Sequence, residues 1–331
     1  MLHAIALALA VVIGTHATVP TPVVELFEPG TISTGRDDAH ISFSADGTSA
    51  WFLCSSPDFV HWTVVVSHQR DGQWHTPRVA VFSGRYSDAD VSIDYGKQRM
   101  FFISNRPLHG HAARPDTDIW TMPLDANGPG TPHHVAALSS TGNEWFPTMG
   151  ADGWLYFGSE RHGGHGQSDL WRAHWDGQQF QPPENLGPMI NTPGQEIEAF
   201  PDPQGRFLIF SAKGRQPSAG AYDLYVTWRC HEHWTPPQQL GAGINTRGWE
   251  FGARISPNGR YLYFTSNRNT FDPHHPRYDI AALNRRLHSP GNGLNDIYRV
   301  PVEALDLQPP CAKAAADGTD AGSENRLPGQ L

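Results

Sequence analysis

Carboxylates recur along this chain at a spacing that could build a polar centre. Asp38, Asp88, Glu144, Glu196 and Glu250 each stand a few residues before a turn glycine, and Asp90 and Glu198 add charge two positions on. Acids gathered at one mouth of a fold attract hard cations or basic ligands, so a divalent cation is allowed here, although the sequence itself requires no cofactor. The same residues could instead anchor structure by pairing with arginine or capping backbone N–H groups, and their regular recurrence favours that use. Paired carboxylates also cleave glycosidic bonds, about 5–5.5 Å apart in retaining enzymes and about 6.5–9.5 Å apart in inverting ones. A catalytic acid and base need unequal surroundings, which equal repeats do not offer, so no catalytic pair is singled out.

Histidine is abundant, at 18 residues. His109 with His111, and His162 with His165, have spacings that suit a transition metal, but both pairs sit among glycines, and a metal-binding imidazole needs supporting hydrogen bonds to hold its ring. Arg106, Arg161, Lys213 and Arg268 follow aromatic segments, and Asp118, Asp169, Asp223 and Asp296 open the segments after them. The first repeat lacks both members. Joint loss predicts four structural ion pairs that clamp the ends of variable loops. A long insertion, residues 269–294, carries Arg277, Arg285 and Arg286 and is expected to act as a lid or partner contact. Neither a Gly-x-Ser-x-Gly elbow, a phosphate loop nor a dinucleotide fingerprint occurs.

The elements that must position these residues are repeats. EWFPTMGADGWLYFGSER from Glu144 recurs as EIEAFPDPQGRFLIFSAKG from Glu196 and EFGARISPNGRYLYFTSNR from Glu250, with looser copies from Asp88 and Asp38. Their turn glycines, Gly47, Gly96, Gly153, Gly205 and Gly259, lie about fifty residues apart, a period typical of propellers and solenoids. Each unit reads as a strand, a tight turn such as Pro257-Asn258-Gly259, an aromatic strand, a variable loop, a strand opening Asp-Leu/Ile-aromatic, and a short fourth strand. Four-stranded antiparallel sheets with this repeat are blades of a β-propeller. Five blades are predicted, with six as the alternative. The last unit stops after its third strand, at Val300, so residues near 20–30 should supply its outer strand and close the ring.

The pattern F-P-x-x-x-x-D-G-x-L-Y-F-x-S-x-R…D-L-W at residues 146–171 resembles the WD-like (PD-repeat) unit of TolB-type propellers. The resemblance covers about residues 38–302 and does not include the N-terminal α/β domain of TolB-type proteins. It implies an all-β propeller; such repeats serve periplasmic scaffolds, peptidase gates and sugar-active enzymes alike.

Composition agrees with this reading. Gly (33) and Pro (28) interrupt any long helix, while 11 Trp and 16 Phe supply a core. With 33 Asp+Glu against 24 Lys+Arg the net charge is −9, which argues against a nucleic-acid binder. Residues 4–13 are apolar but too few to span a bilayer, and with the exit at Ala17 they read as a signal peptide over residues 1–17, followed by a propeller over 20–302 and a disordered tail over 303–331. Of three cysteines, Cys54 reads as a free thiol in a strand, and Cys230 and Cys311 could bridge in an oxidising compartment. The expectation is a periplasmic or secreted monomer that binds a protein, peptide or glycan through its top-face loops, with no membrane span; the alternative is a glycan-active enzyme, hydrolase-like or metal-dependent lyase-like.

Overall fold

The computed structural model describes residues 23–125, 128–231, 233–241, 243–272, 274–275 and 277–311. The expected signal peptide lies outside them. Five antiparallel sheets follow one another along the chain, as the repeats predict. The three long strands are Asp37–Phe43, Ser49–Ser55 and Trp62–Arg70 in blade 1, and Asp88–Asp94, Arg99–Ser104 and Asp118–Asp125 in blade 2. Blade 3 has Glu144–Met149, Trp154–Ser159 and Asp169–His174, and blade 4 has Gln195–Pro201, Phe207–Lys213 and Asp223–Cys230. Blade 5 has Glu250–Ile255, Tyr261–Ser266 and Asp296–Pro301. Short outer strands of two residues finish the blades.

The fourth strand of blade 5 comes from the other end of the chain. Glu25–Leu26 pairs antiparallel with Asp296–Pro301, Glu25 opposite Arg299 and Leu26 opposite Tyr298. Phe27 then packs edge-on against Tyr263, Phe43 and Trp74, which joins blade 5 to blade 1. This closure covers the otherwise open outer edge of Asp296–Pro301 in the last blade. The middle strands carry much of the core: Phe52, Phe101, Phe102, Phe157, Phe210 and Phe264 are all buried.

Three local readings change. The hairpin of blade 2 has the same register as those of blades 1, 4 and 5, but its left-handed residue is Gln98 (φ 49°) and not Gly96, whereas Gly47, Gly153, Gly205 and Gly259 all have positive φ. Residues 303–311, expected as disordered tail, are ordered: Leu305 and Leu307 pack against the core of blades 4 and 5, and Cys311 is disulfide-bonded to Cys230. The insertion at 269–294 holds a helix, Ile280–Leu287, capped by Asp279. Arg286 ties it to Thr270, Ser289 and Pro290, and Asn292 reaches Gly35 O.

Candidate functional site: the axial channel

The inner strand of every blade carries a β-bulge two residues after its recurring acid. Register shifts fall at Ala39/Ser42, Ala89/Ser92, Trp145/Thr148, Ile197/Phe200 and Phe251/Arg254. The bulged residues are His40, Asp90, Phe146, Glu198 and Gly252, with φ of 51°, 58°, 46°, 60° and 64°. Left-handed backbone at a bulky side chain such as Phe146 is costly, and bulges of this kind re-aim side chains. Here they turn five residues toward the axis as a central ring. The positions just before form an upper ring, Ala39, Ala89, Trp145, Ile197 and Phe251; those two further on form a lower ring, Ser42, Ser92, Thr148, Phe200 and Arg254.

The central ring closes the channel with a charged bridge. His40 Nδ1 lies 2.6 Å from Asp90 Oδ1, and His40 Nε2 lies 3.1 Å from Glu198 Oε1. The other carboxylate oxygens accept backbone N–H groups, from Phe146 to Asp90 Oδ2 at 2.9 Å and from Gly252 to Glu198 Oε2 at 2.5 Å. Burial alone would neutralise His40, but the charges of Asp90 and Glu198 overcome it and push its pKa up to about 10. The ring is thus an imidazolium between two carboxylates. Gly252 is required beside it, since a Cβ there would stand 2.7 Å from His40 Cδ2.

Above this bridge the channel opens into a cavity of about 180 Å³. Two alanines in the upper ring leave room over blades 1 and 2, and aromatic side chains wall it: Phe59, Trp62, Trp145, Tyr222, Trp249 and Phe251. Its floor is His40, Asp90 and Glu198, with Glu160 and Gln195 among its polar lining. Ser168 Oγ, also in the lining, is buried without a partner. The cavity can hold a ring-sized group against aromatic faces. It is poorly furnished for hydrolysis, because His40 fills the space between the two floor carboxylates.

The other predicted acids lie elsewhere. Asp38, Asp88, Glu144, Glu196 and Glu250 are buried and do not line the cavity. Each knots its blade together. In blade 3, Glu144 accepts from Ser140 N and Oγ (3.0 and 2.6 Å), Ser159 Oγ (2.8 Å) and Arg161 Nη2 (3.3 Å). Thr192 and Thr246 bind Glu196 and Glu250 in the same way, and Thr34 binds Asp38. Burial raises the pKa of Asp38, Asp88, Glu144 and Glu196 against these hydrogen bonds.

The arginines complete these knots, which corrects the expected ion pairs. Arg106 pairs with Asp88 (2.6 Å), Arg161 with Glu144 and Arg268 with Glu250 (3.7 Å), not with Asp118, Asp169 and Asp296. In blade 4 the basic partner of Glu196 is Arg215 at 3.7 Å, because that segment holds an extra residue; Lys213 lies over the Tyr222 ring instead. The third-strand acids fold the loop before them. Asp169 accepts from His165 N and Gly166 N, Asp223 from Ala219 N and Asp296 from Gly291 N, while Asp118 pairs with Arg114 and His134. Burial pushes the pKa of Asp296 up to about 7.

His109, His111, His162 and His165 are exposed, and among the described residues no three His, Cys, Asp or Glu side chains gather to hold a metal ion. None of the described residues of the insertion lines the cavity, so the expected lid does not cover the mouth in this structure. Sequence reasoning reached Asp90 and Glu198 but missed His40, the aromatic wall and Arg254. Aligning the five units on their acids would have shown His40 two positions after Asp38 and Arg254 four after Glu250, but Phe59, Trp62, Tyr222 and Trp249 stand at no shared position after an acid.

No family model matches the chain, and no curated protein does. Several solved structures are similar in chain path. A putative TolB from Agrobacterium tumefaciens is 16% identical, with a TM-score of 0.39 over 68% of this chain and 87% of that one. An endo-arabinase from Bacteroides thetaiotaomicron is 12% identical, with a TM-score of 0.48 over 82% and 96%. A gluconolactonase from Xanthomonas campestris is 12% identical, with a TM-score of 0.45 over 84% and 90%. Their functions are mixed, and likeness at this level gives no account of what this chain binds: the chemistry of its channel has to be argued from its own residues.

Proposed function

We propose that this propeller is a binding module for a protein, peptide or glycan, and that its ligand inserts one ring-sized apolar group into the upper cavity. The observation that carries this reading is the aromatic wall of Phe59, Trp62, Trp145, Tyr222, Trp249 and Phe251 around a space of about 180 Å³. Ligand sites are commonly concave and apolar, with a few polar groups that fix orientation. Here Gln195, Glu160 and Ser168 would do so. A sugar ring or an aromatic side chain presents an apolar face that stacks on Trp and Tyr.

Binding is favoured over turnover because the floor carboxylates are already engaged, each by His40 and by a backbone N–H. A general acid or base must be able to reach and exchange a proton with the substrate. The proposal includes an oxidising compartment, periplasmic or extracellular, supported by the Cys230–Cys311 disulfide. Among the described residues no helix is long and apolar enough to cross a membrane.

The test is ligand-observed NMR with methyl glycosides and N-acetylated aromatic amino-acid amides as probes. Saturation transfer to a probe is expected with the wild-type protein and is lost with Ala89→Phe, which fills the cavity, and with Trp249→Ala, which opens its wall. Equal transfer in all three proteins, or none in any, would overturn the proposal.

A further inference from the structure

The lower end of the channel has chemistry of its own. Below the His40 bridge lies a second cavity of about 560 Å³, lined by Ser42, Ser92, Thr148, Phe200 and Arg254 of the lower ring and by Lys97 nearer its edge. Arg254 is 6% exposed, and its side chain makes no hydrogen bond among the described residues. Its Nε and Nη2 are both buried without a partner. The guanidinium carbon sits 4.1 Å from the centre of the Phe146 ring, so one face is covered by an aromatic.

Buried guanidinium donors without hydrogen bonds are expensive, because Nε and Nη2 have given up water and received nothing. The axial carboxylates do not fill the need. Asp90 and Glu198 balance the charge at a distance, but their oxygens are taken by His40, Phe146 N and Gly252 N, and neither forms an ion pair with Arg254. Asp94, also at this mouth, is held by Arg99 at 2.9 Å. Burial lowers the pKa of Arg254 only to about 10, which leaves it a cation at neutral pH.

Around it the ring supplies further donors. Ser42 and Ser92 are nearly buried, and neither hydroxyl has a hydrogen bond among the described residues. Thr148 Oγ1 makes only a long one, 3.4 Å to Phe146 O. Three hydroxyls, one fixed guanidinium and a lysine nearer solvent therefore surround one cavity in which the lining carboxylate is already paired.

We propose that this lower mouth is an oxyanion site, in which a carboxylate or sulfate-like group enters the cavity and is held by Arg254 with the hydroxyls of Ser42, Ser92 and Thr148. Guanidinium matches such groups through charge-assisted hydrogen bonds, and hydroxyls can donate to the oxygens that remain. The site is separated from the upper cavity by the His40 bridge and does not depend on what binds there.

The test titrates the protein with sodium sulfate and, separately, sodium acetate at constant ionic strength set by sodium chloride. Thermal unfolding and calorimetry follow binding to wild type, Arg254→Met and Ser92→Val. Sulfate stabilises most proteins without saturating, so the diagnostic signal is a saturable rise that the variants weaken. Wild type should show it for at least one of the two anions, and the stronger of them identifies a tetrahedral or a planar ligand. Affinity should fall at least tenfold in Arg254→Met and about threefold in Ser92→Val, the size of one hydrogen bond. If Arg254→Met does not fold, the fall in Ser92→Val decides. No saturable response in wild type, or an undiminished one in Ser92→Val, would overturn the proposal.

Discussion

His40 Nδ1 in blade 1 stands 2.6 Å from Asp90 Oδ1 in blade 2, while its Nε2 reaches Glu198 in blade 4. One side chain therefore joins three blades across the axis. Removing one member of a buried charge pair leaves the other uncompensated, which costs about 3–5 kcal/mol. His40→Gln should lose stability on that scale in chemical denaturation, whereas a loss below about 1 kcal/mol would show that the bridge is not what holds the channel shut.

The same bridge sets a pH dependence. The folded pKa of His40 is about 10, against 6.5 for the free group. Its stabilisation is therefore complete below the unfolded value and lost as pH rises through about 10. Unfolding free energy should decline between pH 7 and pH 10 in wild type. His40→Gln should show a flatter profile over that range, and identical slopes would sink the assignment of a charged imidazole.

Asp296 predicts a slope at lower pH. Its folded pKa is about 7, against 3.8, so the native state holds a proton that the unfolded chain has released. Stability should therefore fall as pH rises from about 4 to about 7, and Asp296→Asn should remove that part of the decline. The variant keeps an acceptor for Gly291 N–H, so its stability at pH 4 should stay near that of wild type. A steeper decline in the variant would contradict the account.

Ring closure rests on the first ordered residues. Phe27 is buried against Tyr263, Phe43 and Trp74, and the strand before it completes blade 5. Phe27→Ala should cost about 3–5 kcal/mol, the usual range for a buried phenylalanine. The Cys230–Cys311 bridge closes a stretch of 81 residues, and its replacement by serines should cost about 2–4 kcal/mol. Melting temperatures of the two proteins measure both effects, and an unchanged value for either would remove that closure from the account.

Much of the architecture was legible because backbone constraints repeat visibly. Hairpin turns such as Pro257-Asn258-Gly259, aromatic middle strands and the unit lacking a fourth strand led to five blades and to their closure by the N-terminal segment. The site was harder to see. The recurring acids are conspicuous in sequence because every blade needs the same knot, and that shared need is what makes them structural. The channel residues differ from blade to blade: His40, Asp90, Phe146, Glu198 and Gly252 occupy one position, yet only Asp90 and Glu198 share a chemistry. A search for similarity passes over them. The bulge that aims them leaves no fixed residue type, since four non-glycine side chains accept the left-handed backbone.

The central claim is that function lies in the variable upper ring and not in the recurring acids. The most direct measurement compares one probe's dissociation constant across wild type, Ala89→Phe and Glu144→Gln, using the glycoside or aromatic amide that gives the strongest saturation transfer. The account predicts that Ala89→Phe abolishes binding, while Glu144→Gln lowers the melting temperature and leaves affinity within about twofold, less than one hydrogen bond's worth. Loss of binding in Glu144→Gln with full binding retained in Ala89→Phe would contradict it.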